Sequence, residues 1–218
     1  METLELDEIA VAGMQHDGAI LWLAAPKQRW VAAHDPRSGG TEVKLRYSEE
    51  VWDVCPDEDQ LWLLASGGKL GRQIVLWSLE EGREVRKFGC PDGSAAGLTL
   101  LDGKLWMTHR NNRKLFCLDA ASGGVNWMIR TENEVFSLAT YRNELWLVEA
   151  DFGPLGHWGE RRHARYHFCR YDPARERVLE RRAVPCAPRC MAFDGARFWY
   201  AEQGKKGILS AEKNFGQL

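Results

Sequence analysis

An apolar residue followed by tryptophan recurs five times, at Leu21-Trp22, Leu61-Trp62, Leu105-Trp106, Leu145-Trp146 and Phe198-Trp199. The tryptophans are 40, 44, 40 and 53 residues apart. A turn sequence precedes each pair: Asp17-Gly18, Glu58-Asp59, Asp102-Gly103, Arg142-Asn143 and Asp194-Gly195. A second marker stands thirteen residues after three of the tryptophans, at Asp35, Asp119 and Glu212, with Leu79 and Asp172 in the corresponding places of the second and fourth units. A fixed period with a fixed internal order marks a repeat, and a unit this short cannot bury its apolar side chains unless it packs against its neighbours.

Each unit reads as four short strands. In the third they cover 96–101, 104–108, 114–118 and 124–130, rich in Leu, Val, Trp and Phe and bounded by Asp-Gly and Ser-Gly-Gly. Such runs between such turns form hairpins, and long helical periodicity is absent. Four strands in a repeat of roughly 40–45 residues form a propeller blade. The expected fold is all-β: one five-bladed propeller spanning residues 1–218. The last unit ends early, after a third strand at 207–211. Residues 3–9 are left over at the start and are expected to supply the missing outer strand, which closes the ring and hides a sheet edge.

The repeat resembles the NHL-type, YVTN-type and virginiamycin-lyase-like propellers over nearly the whole chain. The stretch Gly97-Leu98-Thr99, Asp102-Gly103, Leu105-Trp106 and Leu115 to Asp119 is similar to one blade of the bacterial glutamine cyclotransferases, which are five-bladed. No functional residue is carried over from them.

Charge excludes one class of partner. Lys plus Arg is 29 and Asp plus Glu is 31, a net charge of −2, so a nucleic-acid partner is not expected. Membrane insertion is not expected either, because no apolar run approaches the roughly 18 residues of a spanning helix. The acidic start, Met-Glu-Thr-Leu-Glu-Leu-Asp-Glu, lacks the order of a signal peptide. Six dispersed cysteines, at 55, 90, 117, 169, 186 and 190, are then expected to be reduced and mostly buried, in a cytoplasmic protein. The tryptophans of the repeat are expected to pack between blades rather than around a cofactor.

Strand alternation sorts the loops. With strands counted from the axis outward, tight turns join the first to the second and the third to the fourth on one face, the turn face. The second-to-third loops and the blade-to-blade connections share the other, the loop face. These are less regular, and irregular loops on a rigid scaffold commonly carry sites. Ligand-binding candidates there are Trp52, Asp53, Arg110, Glu134, Trp158, Arg189 and Glu202. Catalytic candidates are His109, Glu149 and His163. The fourth blade carries the excess length, as an insertion across residues 149–165, read as a lid with Trp158 over the ligand. His157 and His163 within it, with a carboxylate such as Glu149, are candidate ligands for a divalent metal. Glu50 and Asp53 are among the acids available for proton transfer. Cys186 or Cys190, next to Arg189, offers a nucleophile if its pKa is low.

The expected function is binding of a small polar or anionic ligand at the axial mouth of the loop face, by an enzyme of lyase, cyclase or hydrolase type. The alternative is a non-catalytic module that binds a protein or peptide over the same face.

Overall fold

A computed structural model describes residues 6–68, 71–109, 112–152 and 164–212. Blade one contains β1 (Gly13–His16), β2 (Leu21–Ala25), β3 (Trp30–His34) and β4 (Thr41–Arg46); blade two contains β5 (Val51–Asp57), β6 (Gln60–Ser66), β7 (Arg72–Ser78) and β8 (Arg83–Gly89). Blade three contains β9 (Leu98–Leu101), β10 (Lys104–His109), β11 (Lys114–Asp119) and β12 (Val125–Arg130); blade four contains β13 (Glu134–Tyr141), β14 (Glu144–Asp151), β15 (Arg165–Asp172) and β16 (Arg177–Val184). Blade five has β17 (Pro188–Phe193), β18 (Arg197–Glu202) and β19 (Leu209–Glu212). Every sheet is an antiparallel meander in chain order. The inner strands touch in a ring, β1 to β5, β9, β13, β17 and back to β1. The chain is a five-bladed β-propeller.

The Leu-Trp pair explains the packing. Adjacent strand residues point to opposite faces of a sheet. Trp22 and Trp62 pack with the following blade, whereas Leu21 and Leu61 pack with the preceding one. Trp106 and Trp146 repeat the pattern, as do Leu105 and Leu145. Five apolar clusters result, one for each wedge between blades. Three of the tryptophans are also pinned from their own blade: Trp22, Trp62 and Trp199 donate through Nε1 to Asp17, Asp57 and Asp194, five residues upstream, at 2.7, 3.0 and 2.8 Å.

The turns do what their residues permit. Asp102 and Gly103 have φ of 51° and 70°, and Arg142 and Asn143 have 45° and 61°. Two successive left-handed residues match the twist of a tight hairpin. Asp35, Asp119 and Asp172 accept backbone N–H groups in the third-to-fourth turns. In blade two this role falls to Ser78, whose hydroxyl accepts from Glu81 N, and not to Leu79.

Of the segment expected to close the ring, residues 3–5 lie outside the described residues, and the described part is not a strand. Blade five has three strands among the described residues, and Leu6–Glu8 is a single 3-10 turn rather than part of an outer strand. Residues three apart lie on one side of such a turn. Leu6 and Ile9 therefore both reach the cluster between blades five and one, whereas a strand would send them to opposite faces. The ring is tied here by Gly207 N–H donating to Ile9 O at 2.8 Å and by the Lys206–Glu8 pair.

The axis itself is sealed by side chains. An innermost strand has no further strand beside it, so its inward-facing backbone groups need other partners. Gln15 crosses the axis and donates to Thr99 Oγ1 and to Leu138 O, both at 2.9 Å. Asp53 accepts Val54 N–H at 2.9 Å and Leu98 N–H of the next blade at 2.8 Å. Gly13 makes that approach possible, since a Cβ there would lie 2.3 Å from Asp53 Cα.

Candidate functional site

The register of the repeat builds the loop-face mouth. Ala12, Trp52, Ala96, Phe136 and Arg189 each stand ten residues before the tryptophan of their blade. Equivalent positions come together around the axis, and these five line a cavity with Arg72. Its volume is about 30 Å³, room for about one water, so a ligand would rest in the mouth rather than enter the channel.

Trp52 is the centre of this arrangement. Its Nε1 donates to Ser66 Oγ at 3.0 Å, and Ser66 donates to Glu50 Oε2 at 3.2 Å. Cross-strand pairing places Arg72 opposite Ser66. The Arg72 guanidinium lies over the indole at 4.3 Å and donates to Ala95 O, while Arg189 lies 5.7 Å from the ring. Among the described residues Arg189 has no carboxylate or carbonyl partner. A guanidinium offers five donors in a planar fork suited to a carboxylate or phosphate.

Beneath the mouth sits Asp53, 1% exposed. Burial pushes its carboxyl up to about 8, against the lowering effect of N–H donors from Leu98, Val54 and Met14 and of the Arg72 charge. Three blades share this carboxyl, which makes it a clasp that holds the ring, not a group facing ligand.

The other expected residues scatter. Glu134 is buried at the start of β13, two residues before Phe136. Glu202 is held by Lys205 at 2.7 Å. His109 ends β10, buried, with its Nε2 3.3 Å from Asn112 Nδ2. Glu149 does not line the mouth: it belongs to β14 rather than to a loop, and it lines a groove between blades three and four. The catalytic set of His109, Glu149 and His163 is therefore not assembled at the mouth by the described residues. His163, His157, Arg110 and Trp158 lie outside them, as does the middle of the insertion. Among the described residues no group of three or more His, Cys, Asp and Glu is arranged to hold a metal ion.

All six cysteines are free thiols. Burial pushes Cys190 up to about 12 and raises Cys186 as well, so neither is a thiolate at neutral pH despite the nearby Arg189. His16 lines a second axial mouth, on the turn face, with a volume of about 390 Å³. Among the described residues no helix is long and apolar enough to cross a membrane.

Arg72 and Phe136 were not singled out from the sequence, although Phe136 was legible in it. The offset of ten from each tryptophan identifies Phe136 directly, as it does Trp52 and Arg189. Arg72 comes from a different strand, β7, and only the pairing of β6 with β7 carries it to the mouth.

No family model and no curated protein matches the sequence. Among solved structures the chain is similar to the glutaminyl cyclase of Myxococcus xanthus, with a TM-score of 0.65 and 11% identity over 97% of this chain and 95% of that one. At that identity the likeness establishes the fold.

Proposed function

We propose that the chain binds a small anionic ligand, a carboxylate, at the loop-face mouth, and that it is an enzyme of the lyase, cyclase or hydrolase class. One observation carries the binding reading: Arg189 stands at the mouth beside Trp52 with its guanidinium donors unmatched among the described residues. Arg72, on the same indole, adds a second positive charge. Two cations beside an aromatic face suit a planar anion. Glu50 is the proton-transfer residue of this reading, because Ser66 links it to Trp52 at the mouth and it is less buried than Asp53.

The likeness to a glutaminyl cyclase makes cyclase chemistry the first to assay. The insertion in blade four stays in this reading as a lid, on the strength of its length and of Trp158. The six free thiols are consistent with a cytoplasmic setting. The protein-binding alternative is less supported: the exposed apolar residues Val125, Trp127 and Met128 are on β12, the outermost strand of blade three, away from the mouth.

The test is a glutaminyl cyclase assay together with a thermal-shift screen of small carboxylates, on the wild type and on Arg189→Gln. At least one carboxylate should raise the melting temperature of the wild type and not of the variant. Equal shifts in both proteins, or none in either, would sink the reading.

A further inference from the structure

Blades that radiate from an axis diverge outward, and each wedge between neighbours must be filled. Between blades four and five the filling is aromatic: Trp146, Phe168, Phe193 and Phe198 have ring centroids 4.6 to 5.1 Å apart. Between blades three and four an apolar cluster around Trp106, Leu138 and Leu147 fills the wedge only in part. A groove of about 470 Å³ runs there, with Leu147 and Tyr171 among its lining residues.

The lining also contains a buried acid. Glu149 is 2% exposed. Its Oε2 accepts Arg181 Nη2 at 2.9 Å and the Cys169 thiol at 3.3 Å. Its Oε1 has no partner among the described residues. Cross-strand pairing sets His167 directly opposite Glu149. Burial and the Arg181 charge hold that imidazole below its ordinary range, so it is not a competing cation at neutral pH. Oε1 is not among the buried atoms left without a partner, so it opens onto the groove. Apolar filling of similar volume is commonly no worse than a buried ion pair. The aromatic wedge next door shows that this fold can be filled that way.

We infer that the groove is a second binding site, separate from the axial mouth, for a small zwitterion of the apolar α-amino-acid class. Its ammonium donates to Glu149 Oε1. Arg130 and Arg177 line the same groove and offer donors for the carboxylate; of the other acids there, Glu180 is paired with Arg170 and Arg182, while Glu132 and Glu176 also face it. Leu179, 43% exposed, and Tyr171 give the side chain an apolar wall.

The experiment is an amide chemical-shift titration of the full chain with L-leucine and, separately, with N-acetyl-L-leucine, which has no ammonium. Leucine should shift residues 147–149 and 177–181, and N-acetyl-leucine should not. Glu149→Gln keeps an acceptor for Arg181 and Cys169 but loses the charge, and should weaken leucine binding about ten-fold or more. Leu179→Trp fills the groove from an exposed position, so it tests the site even if the Gln variant does not fold, and it should weaken binding too. Arg189→Gln should leave the leucine-induced shifts of residues 147–149 and 177–181 unchanged, which separates this site from the mouth. Three results would overturn the inference: no shifts at the groove with leucine, equal binding of the acetylated form, or undiminished binding in the groove variants.

Discussion

Replacing Asp53 with asparagine should flatten the pH dependence of stability. The carboxyl is buried among backbone N–H groups of three blades, and burial raises it from 3.8 to about 8. The folded chain then holds a proton that the unfolded chain has already released. The stabilisation is complete below about pH 4, shrinks as the pH rises, and is gone above about pH 8. Within that window a single such group changes stability by about 1.4 kcal/mol per pH unit. Between pH 5 and pH 7 the wild type should therefore lose about 3 kcal/mol that the asparagine variant does not. The asparagine amide has nearly the same shape and does not titrate, so the difference between the two proteins isolates this group. It also presents an NH₂ where a carboxyl oxygen accepted an N–H, a pH-independent cost of about 1–3 kcal/mol. Urea unfolding of both proteins at pH 5, 6 and 7 measures the difference directly. If the two stabilities run parallel across that range, Asp53 does not titrate between them and the neutral clasp is refuted.

Three further outcomes are expected. Gly13→Ala places a Cβ 2.3 Å from Asp53 Cα and 2.6 Å from Trp52 O, where backbone must move, and should cost about 3 kcal/mol or more in chemical unfolding, or prevent folding. Phe198→Ala removes a fully buried ring that stacks on Phe193 and packs on Trp146 and Phe168, and should cost about 3–5 kcal/mol by the same measurement; a cost under ~1 kcal/mol would contradict the packing described. Excising residues 153–162, which spares Phe152 and its contact with Phe136, should leave the unfolding midpoint unchanged within a few degrees while abolishing turnover on any substrate found for the mouth, and unaffected turnover would remove the lid from the proposal.

Most of the fold was legible because its signals are local and repeated. The Leu-Trp pair states the alternation of each second strand, and the Asp-Gly and Arg-Asn turns state where hairpins close. The closing segment expected at 3–9 differs where it is described: Leu6 and Ile9, three apart, share one side of a 3-10 turn, whereas residues 3–5 lie outside the described residues. The site was legible only in part. Trp52 and Arg189 were named from loops that share a face, and the structure does bring them together. Glu149 was named on the same ground and goes elsewhere. It lies three residues after Trp146, an odd step along one strand, so it faces blade three while Trp146 faces blade five.

The chain by itself determines the blade: strand period, turn chemistry, the direction each tryptophan faces, and the ten-residue offset that repeats in every blade. Those are properties of short segments, set by backbone geometry and by which side chains avoid water. Only the tertiary structure decides that Ala12, Trp52, Ala96, Phe136 and Arg189 share one mouth, that Asp53 lies beneath it tied to three blades, and that a groove remains beside Glu149. Ring closure is the reason. It brings together residues roughly forty or more positions apart and makes the burial of each carboxyl depend on its neighbouring blade.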